Sequence, residues 1–211
     1  MIKINERVNG ITLLNNNKIL IENVILARSD ELAIPKINKF GKAEYKAEFV
    51  INKSLDMGKI NTLLEIVNEF EKNAGIEELS KSEYSEEKNY NSLCCNSWYT
   101  RMNFVIKASV QAKKEKVTNP DTGVEKEDFV NPIIFMGKAK QRITAAGFGV
   151  NSVCHITIKM FGNKKLGLGL EAIMHAGTTQ KIERPFDDSP FDHLVDLGTD
   201  TKKSKSMLSP F

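Results

Sequence analysis

Cations and flat side chains recur together in the second half of this 211-residue chain, at spacings that put them on shared rows of strands. Tyr99, Arg101 and Lys107 occupy one row of an alternating stretch, and Lys138, Lys140 and Arg142 one row of another. Lys159 and Phe161 share a third, and Lys164 and Lys165 fall at a hairpin tip. The combination suits a polyanion with exposed bases, because lysine and arginine neutralise phosphates and release counterions while rings stack on unpaired bases. Charge is distributed accordingly. Residues 98–170 carry 12 basic and 5 acidic side chains, net +7, whereas 1–97 and 171–211 are each net −2. A merely solvated surface can have the same composition, so it is the rows and not the overall +3 that point to a polyanion.

Other chemistries fail on context. Gly167, Gly169 and Ala172 match a dinucleotide-binding fingerprint, but they sit inside an alternating strand and not at a helix N-terminus. Two glycines there read as a curved or closely approached barrel strand. The spacing of Gly162 and Gly167 suggests a phosphate loop, yet Leu168 stands where the essential lysine belongs. Cys94 with Cys95, and Cys154 with His155, are adjacent pairs whose side chains diverge in a strand, so no metal or cofactor is expected. Asp187 and Asp188 lie in a Pro-flanked acidic segment without a third carboxylate placed by a neighbouring strand. No catalytic residue is assigned.

These side chains need strands to align them. Residues 18–28 read as one bent or bulged strand after a turn at Asn15, Asn16 and Asn17, and 42–53 as a second strand with Tyr45, Ala47, Phe49 and Ile51 on one row. Tyr45 and Lys46 alternate, so at most one of them joins the basic face. Residues 29–41 read as a loop carrying Pro35, Lys36 and Lys39. The period changes over 55–73, where Ile60, Leu63, Leu64, Val67 and Phe70 predict a helix, with Ser54 or Asp56 as N-cap and Gly75 beyond its end. This helix is not basic, which disfavours reading of a duplex groove.

Strands then follow one another. They are read at 99–111, at 125–136 after a turn at 119–123, at 138–146, from Cys154 to Phe161, and from Leu166 to Met174. Trp98 falls on an apolar row. The pattern predicts a mainly β fold, an OB-fold-like small antiparallel barrel with one helix, insertions and a C-terminal tail; a sandwich is the alternative. The barrel domain is placed at 1–182, with 77–97 as an exposed insertion and 183–211 as a flexible tail.

At this level the chain resembles the bacteriophage OB-fold single-stranded-DNA-binding proteins. The resemblance is carried by Gly10 to Leu14, Ile19 to Ala27, Ala43 to Ser54, Phe135 to Lys138, Lys159, and Gly162 to Leu170. It spans roughly residues 10–180 and rests on element order and short motifs. It implies sequence-tolerant binding of single-stranded DNA in phage replication, recombination and repair, without catalysis. It also implies a partner-binding tail, here Asp187, Asp188, Asp192, Pro210 and Phe211, that recruits replication or recombination proteins. Lys202, Lys203 and Lys205 depart from the acidic-tail pattern.

A virion or assembly protein without nucleic-acid binding, and a metal-dependent nuclease, are the rival readings. No apolar run approaches the roughly 18 residues of a membrane span, and an odd count of three cysteines argues against a disulfide framework. The expectation is a cytoplasmic protein of an infected host cell; homo-oligomerisation is left open.

Overall fold

Alternating apolar residues from several strands can share one interior only if the strands curl around it. The computed structural model, which describes residues 2–76, 93–94, 102–118, 123, 125–162 and 166–182, has that form. Its strands are β1 (Arg7–Val8), β2 (Ile11–Asn15), β3 (Lys18–Arg28), β4 (Lys36–Ile37), β5 (Ala43–Asn52), β6 (Leu93–Cys94), β7 (Asn103–Gln111), β8 (Lys113–Thr118), β9 (Glu125–Val130), β10 (Ile134–Met136), β11 (Ser152–Phe161) and β12 (Gly167–Thr179). Its helices are α1 (Asp30–Ala33) and α2 (Lys53–Ala74), with a 3-10 turn at Ala145–Gly147.

Five of these strands form a closed ring. β3 pairs antiparallel with β11 and β5, β5 with β7, and β11 with β12. A single parallel contact, Gly169 of β12 with Ser109 of β7, shuts it. The result is the OB-fold-like barrel that the alternation implied. Ile19, Ile21, Phe49, Phe104, Ile106, Ile156, Ile158 and Leu170 meet in its core. At about 1.5–3 kcal/mol for each buried side chain of this kind, the inward rows dominate the choice of fold.

Local chemistry shapes the ring. Asn23 takes a left-handed backbone, φ 53°, at the point where β3 passes from its pairing with β2 to its pairing with β5. Asparagine tolerates that conformation better than the β-branched residues around it. Buried Lys59 donates to the Asn23 carbonyl at 3.4 Å and to Asp56 Oδ2 at 3.2 Å, tying α2 to the bulge. α2 adds Ile60, Leu63, Ile66 and Val67 to the core and ends at Gly75 in the left-handed region, φ 66°.

Several boundaries differ from the sequence expectation. The N-cap of α2 is Asn52, whose side chain accepts from the amides of Ser54 and Leu55; strand runs directly into helix, and Asp56 sits at a kink inside it. Residues 29–41 contain α1 and β4. Residues 138–146 are not a strand. There the amide of Gly137 donates to Gln141 and that of Lys140 to Gly137, both at 2.9 Å, and Lys140 has φ 61°. A left-handed residue between two such bonds closes a turn, whose ends meet in one bridge between Met136 and Arg142. β9 stops at Val130, before Asn131 and Pro132, and the chain resumes as β10 along β12. Within 77–97, Leu93 is buried, with β6 paired to β7. The tail 183–211 lies outside the described residues. No helix among the described residues is long and apolar enough to cross a membrane.

Burial also governs Cys154, which is fully enclosed, and pushes its thiol up to about 12. Reactive thiolate is therefore scarce at pH 8. Brief alkylation of the folded protein followed by peptide mass spectrometry should leave Cys154 unmodified, and denaturation should expose it to full modification. Rapid labelling in the native state would contradict this packing.

Candidate nucleic-acid interface

With the inward rows consumed by the core, the outward rows of β5 and β7 form an open face. Lys46 lies opposite Ser109 and Glu48 opposite Lys107, while Glu44 lies opposite Gln111. A cleft of about 220 Å³ runs over this face, lined among others by Arg28, Glu31, Lys46, Glu48, Lys107 and Ser109. Tyr45 is buried, so of the two adjacent residues only Lys46 reaches the face.

The β3–β5 connection bounds one end of the face. Arg28 binds Asp30 at 2.8 Å and Glu31 at 3.1 Å, and Lys36 binds the same two carboxylates at 3.2 and 3.0 Å. These contacts fasten α1 to the barrel edge. Beyond them, the side-chain oxygen of Asn38 accepts from the amides of Phe40 and Lys42 at 2.9 and 3.0 Å. Gly41, φ 74°, completes the turn. Phe40 is thereby held 74% exposed, with Lys39 Nζ 5.1 Å from its ring centroid. Such a cation-bearing ring at a braced tip is equipped to stack on a planar base beside a phosphate.

Phe161 stands at the other end, the last residue of β11. It pairs with Gly167 of β12 and is 51% exposed, with Lys159 on the same outward row and also exposed. Lys107, Lys159 and Phe161 thus occupy the outward positions that alternation predicts. Lys138, Lys140 and Arg142 are also exposed and grouped, but in the turn after β10, where the stem of Lys138 lies over Gly177. Gly177 is eight residues along β12 from Gly169. At about 3.3 Å per residue this separates the triad from the Phe161 end by about 26 Å. Tyr99, Arg101, Lys164, Lys165, Asp187, Asp188, Asp192, Pro210 and Phe211 lie outside the described residues, as does Trp98.

The cations divide into two electrostatic groups. Lys46 is paired with Glu44 at 3.1 Å, Lys107 with Glu48 at 3.8 Å and Lys18 with Glu171 at 2.7 Å, in addition to the Arg28 and Lys36 cluster. Among the described residues, Lys39, Lys42, Lys138, Lys140, Arg142 and Lys159 have no carboxylate within 4.0 Å; the same is true of Lys72 on α2 and of Lys113 and Lys114 on β8, away from the face. A phosphate meets the second group without displacing an anion. Sequence alternation did not find Phe40, Lys39 and Lys42, because they lie in a turn. The available signal was a large ring set among Asn38, Gly41 and three lysines, where no strand or helix face could bury it. No group of three or more metal-capable side chains occurs among the described residues.

Comparison with solved structures finds the same architecture. The single-stranded DNA-binding protein from bacteriophage Enc34 in complex with ssDNA superposes with a TM-score of 0.55, covering 86% of this chain and 96% of that one at 11% identity. A C-terminal truncation of that protein gives 0.54, 88% and 98% coverage and 13% identity. This chain shares their fold. No protein-family model matches the sequence, and no curated protein matches it either. At such identities the common property is the fold.

The anchoring of α1 carries a pH signature. Hydrogen bonding from Arg28, reinforced by Lys36, holds the Asp30 carboxyl at about 2, below its ordinary 3.8. The ionised form is thus favoured by the fold, so its stabilisation is complete above about pH 4 and is lost as pH falls through 2. Carboxyl NMR should give Asp30 a midpoint near 2, and Arg28→Ala should return it toward 3.8. A wild-type midpoint near 4 would mean that the cluster does not hold.

Proposed function

We propose that this protein binds single-stranded DNA with little regard to sequence, by neutralising phosphates and stacking bases, and that it serves phage DNA replication, recombination and repair in the infected host cell without catalysing a reaction. One observation carries the reading: Phe161, on the outward row next to the β12–β7 seam, and Phe40, in the turn that leads into β5, are exposed rings, and the lysines beside them, Lys159 and Lys39, have no carboxylate partner within 4.0 Å. Rings supply sequence-tolerant affinity because every base has a stacking face, and the unpaired lysines supply the phosphate contacts. The Enc34 protein of the same fold, solved in complex with ssDNA, supports the assignment of ligand class.

In this reading Lys107, Lys138, Lys140, Arg142 and Lys159 meet phosphates, with Arg101, Lys164 and Lys165 extending the track and Tyr99 adding a stack. Lys46, Lys39, Lys42 and Phe40 join them. The tail bearing Asp187, Asp188, Asp192, Pro210 and Phe211 is assigned to replication or recombination partners. Ile182, the last described residue, supports a tail that begins near the face, since it packs with Val50 and Val105, two positions from Glu48 and Lys107 on the same strands.

The test is a titration of labelled single-stranded and duplex oligonucleotides at several ionic strengths. Single strands should bind more tightly, and affinity should fall steeply with salt. Replacing Lys138, Lys140 and Arg142 together by Ala should weaken all sequences alike and reduce the logarithmic salt slope by about 2, since each single-strand phosphate contact contributes about 0.7. An unchanged slope removes the triad from the site. No binding of either oligonucleotide overturns the function.

A further inference from the structure

We propose that Gly167 is a positioning residue for Phe161, a bare position on β12 across which its ring lies so that one face is covered and the other is offered to a base. The inference rests on the single-stranded-DNA reading above. Gly167 opens β12 and Gly169 follows two residues on, and a glycine in a strand gives up side-chain packing for a reason. Backbone conformation does not supply one, because neither glycine has a positive φ, unlike Gly177 at 85° in the same strand. An alanine would be conformationally allowed at both positions.

Space supplies the reason. A Cβ on Gly167 would lie 2.4 Å from Cε2 and 2.6 Å from Cζ of Phe161, distances no pair of carbon atoms tolerates. On Gly169 it would lie 3.5 Å from Cε1 of the same ring, an ordinary contact. The ring therefore occupies the volume a side chain at Gly167 would need and reaches to Gly169 along the strand. Gly169 pairs with Ser109, which lines the β5–β7 cleft, so the ring rests at the seam where the barrel closes and the cleft begins. If the ring only sealed the sheet it would be enclosed, as Phe49 and Phe104 are at 0% and 2%; instead it remains 51% exposed.

Because the clash at Gly167 is with the far end of a side chain and not with backbone, a methyl group there evicts the ring and leaves the barrel able to fold. The two glycines should also differ: the first admits no side chain beneath the ring, and the second admits one.

The experiment is a mutant cycle read by anisotropy of a fluorescein-labelled oligo(dT), with thermal melting of each protein alongside. Gly167→Ala should weaken binding about tenfold, as Phe161→Ala does, and the double variant should bind no more weakly than either single variant. Gly169→Ala should stay within about twofold of wild type, because its methyl meets the ring at an ordinary distance. Gly167→Ala should lower the melting temperature only when Phe161 is present. Should Gly167→Ala fail to fold, the double variant must fold; failure of that rescue overturns the proposal. Wild-type affinity in Gly167→Ala, or losses that add in the double variant, overturns it while leaving the single-stranded-DNA reading intact. A ring that only covers the strand would couple to Gly167 in melting and not in binding, which also overturns it. Wild-type protein that does not bind the oligonucleotide removes both.

Discussion

Closure of the barrel is the constraint from which the rest follows. Five strands shut by a single parallel pairing, Gly169 with Ser109, leave an interior that only the inward rows can fill. Every second residue is thereby committed to packing, and chemistry is confined to the outward rows and the connections between strands. The seam is also where the barrel is thinnest in pairing, and the ring of Phe161 lies beside it on β12.

The outward surface is not uniformly basic. On β5 and β7 the lysines are matched by glutamates across or along the strand, and at the barrel edge Arg28 and Lys36 share Asp30 and Glu31. Such pairs brace the connection that presents Phe40, while exposed pairs of this kind add little to stability themselves. Of the lysines without carboxylate partners, Lys39 and Lys42 stand on the turn that leads into β5 and Lys159 on the outward row of β11. Under the proposed reading the rim meets phosphates directly, whereas Lys46 and Lys107 meet them by giving up Glu44 and Glu48. A phosphate that replaces a glutamate beside Lys107 releases fewer counterions than one that meets Lys159, so paired lysines add less to salt dependence.

The strands were legible because period two persisted over 43–49 in β5 and 154–161 in β11, long enough to fix which row is inside. Lys107, Lys159 and Phe161 were legible for the same reason. Alternation misled at 138–146, where a left-handed Lys140 turns the chain and a short polar-apolar pattern imitates a strand. It was silent on Phe40, whose exposure depends on the Asn38 side chain bridging a turn, a contact with no period. The cap of α2 was placed too late because Asn52 is both the last residue of β5 and the first hydrogen-bond acceptor of the helix. The glycines of β12 were read as a site of close approach, but which ring approached them depends on the β11–β12 register.

Ultraviolet cross-linking of a single-stranded oligonucleotide to the full chain, with peptide mapping, tests the central claim most directly. The account predicts adducts in the peptides that carry Phe40 and Phe161, at the two ends of the β5–β7 face, and their suppression by unlabelled single strand. Adducts confined to the surface of α2, or to the β8–β9 hairpin, would contradict it.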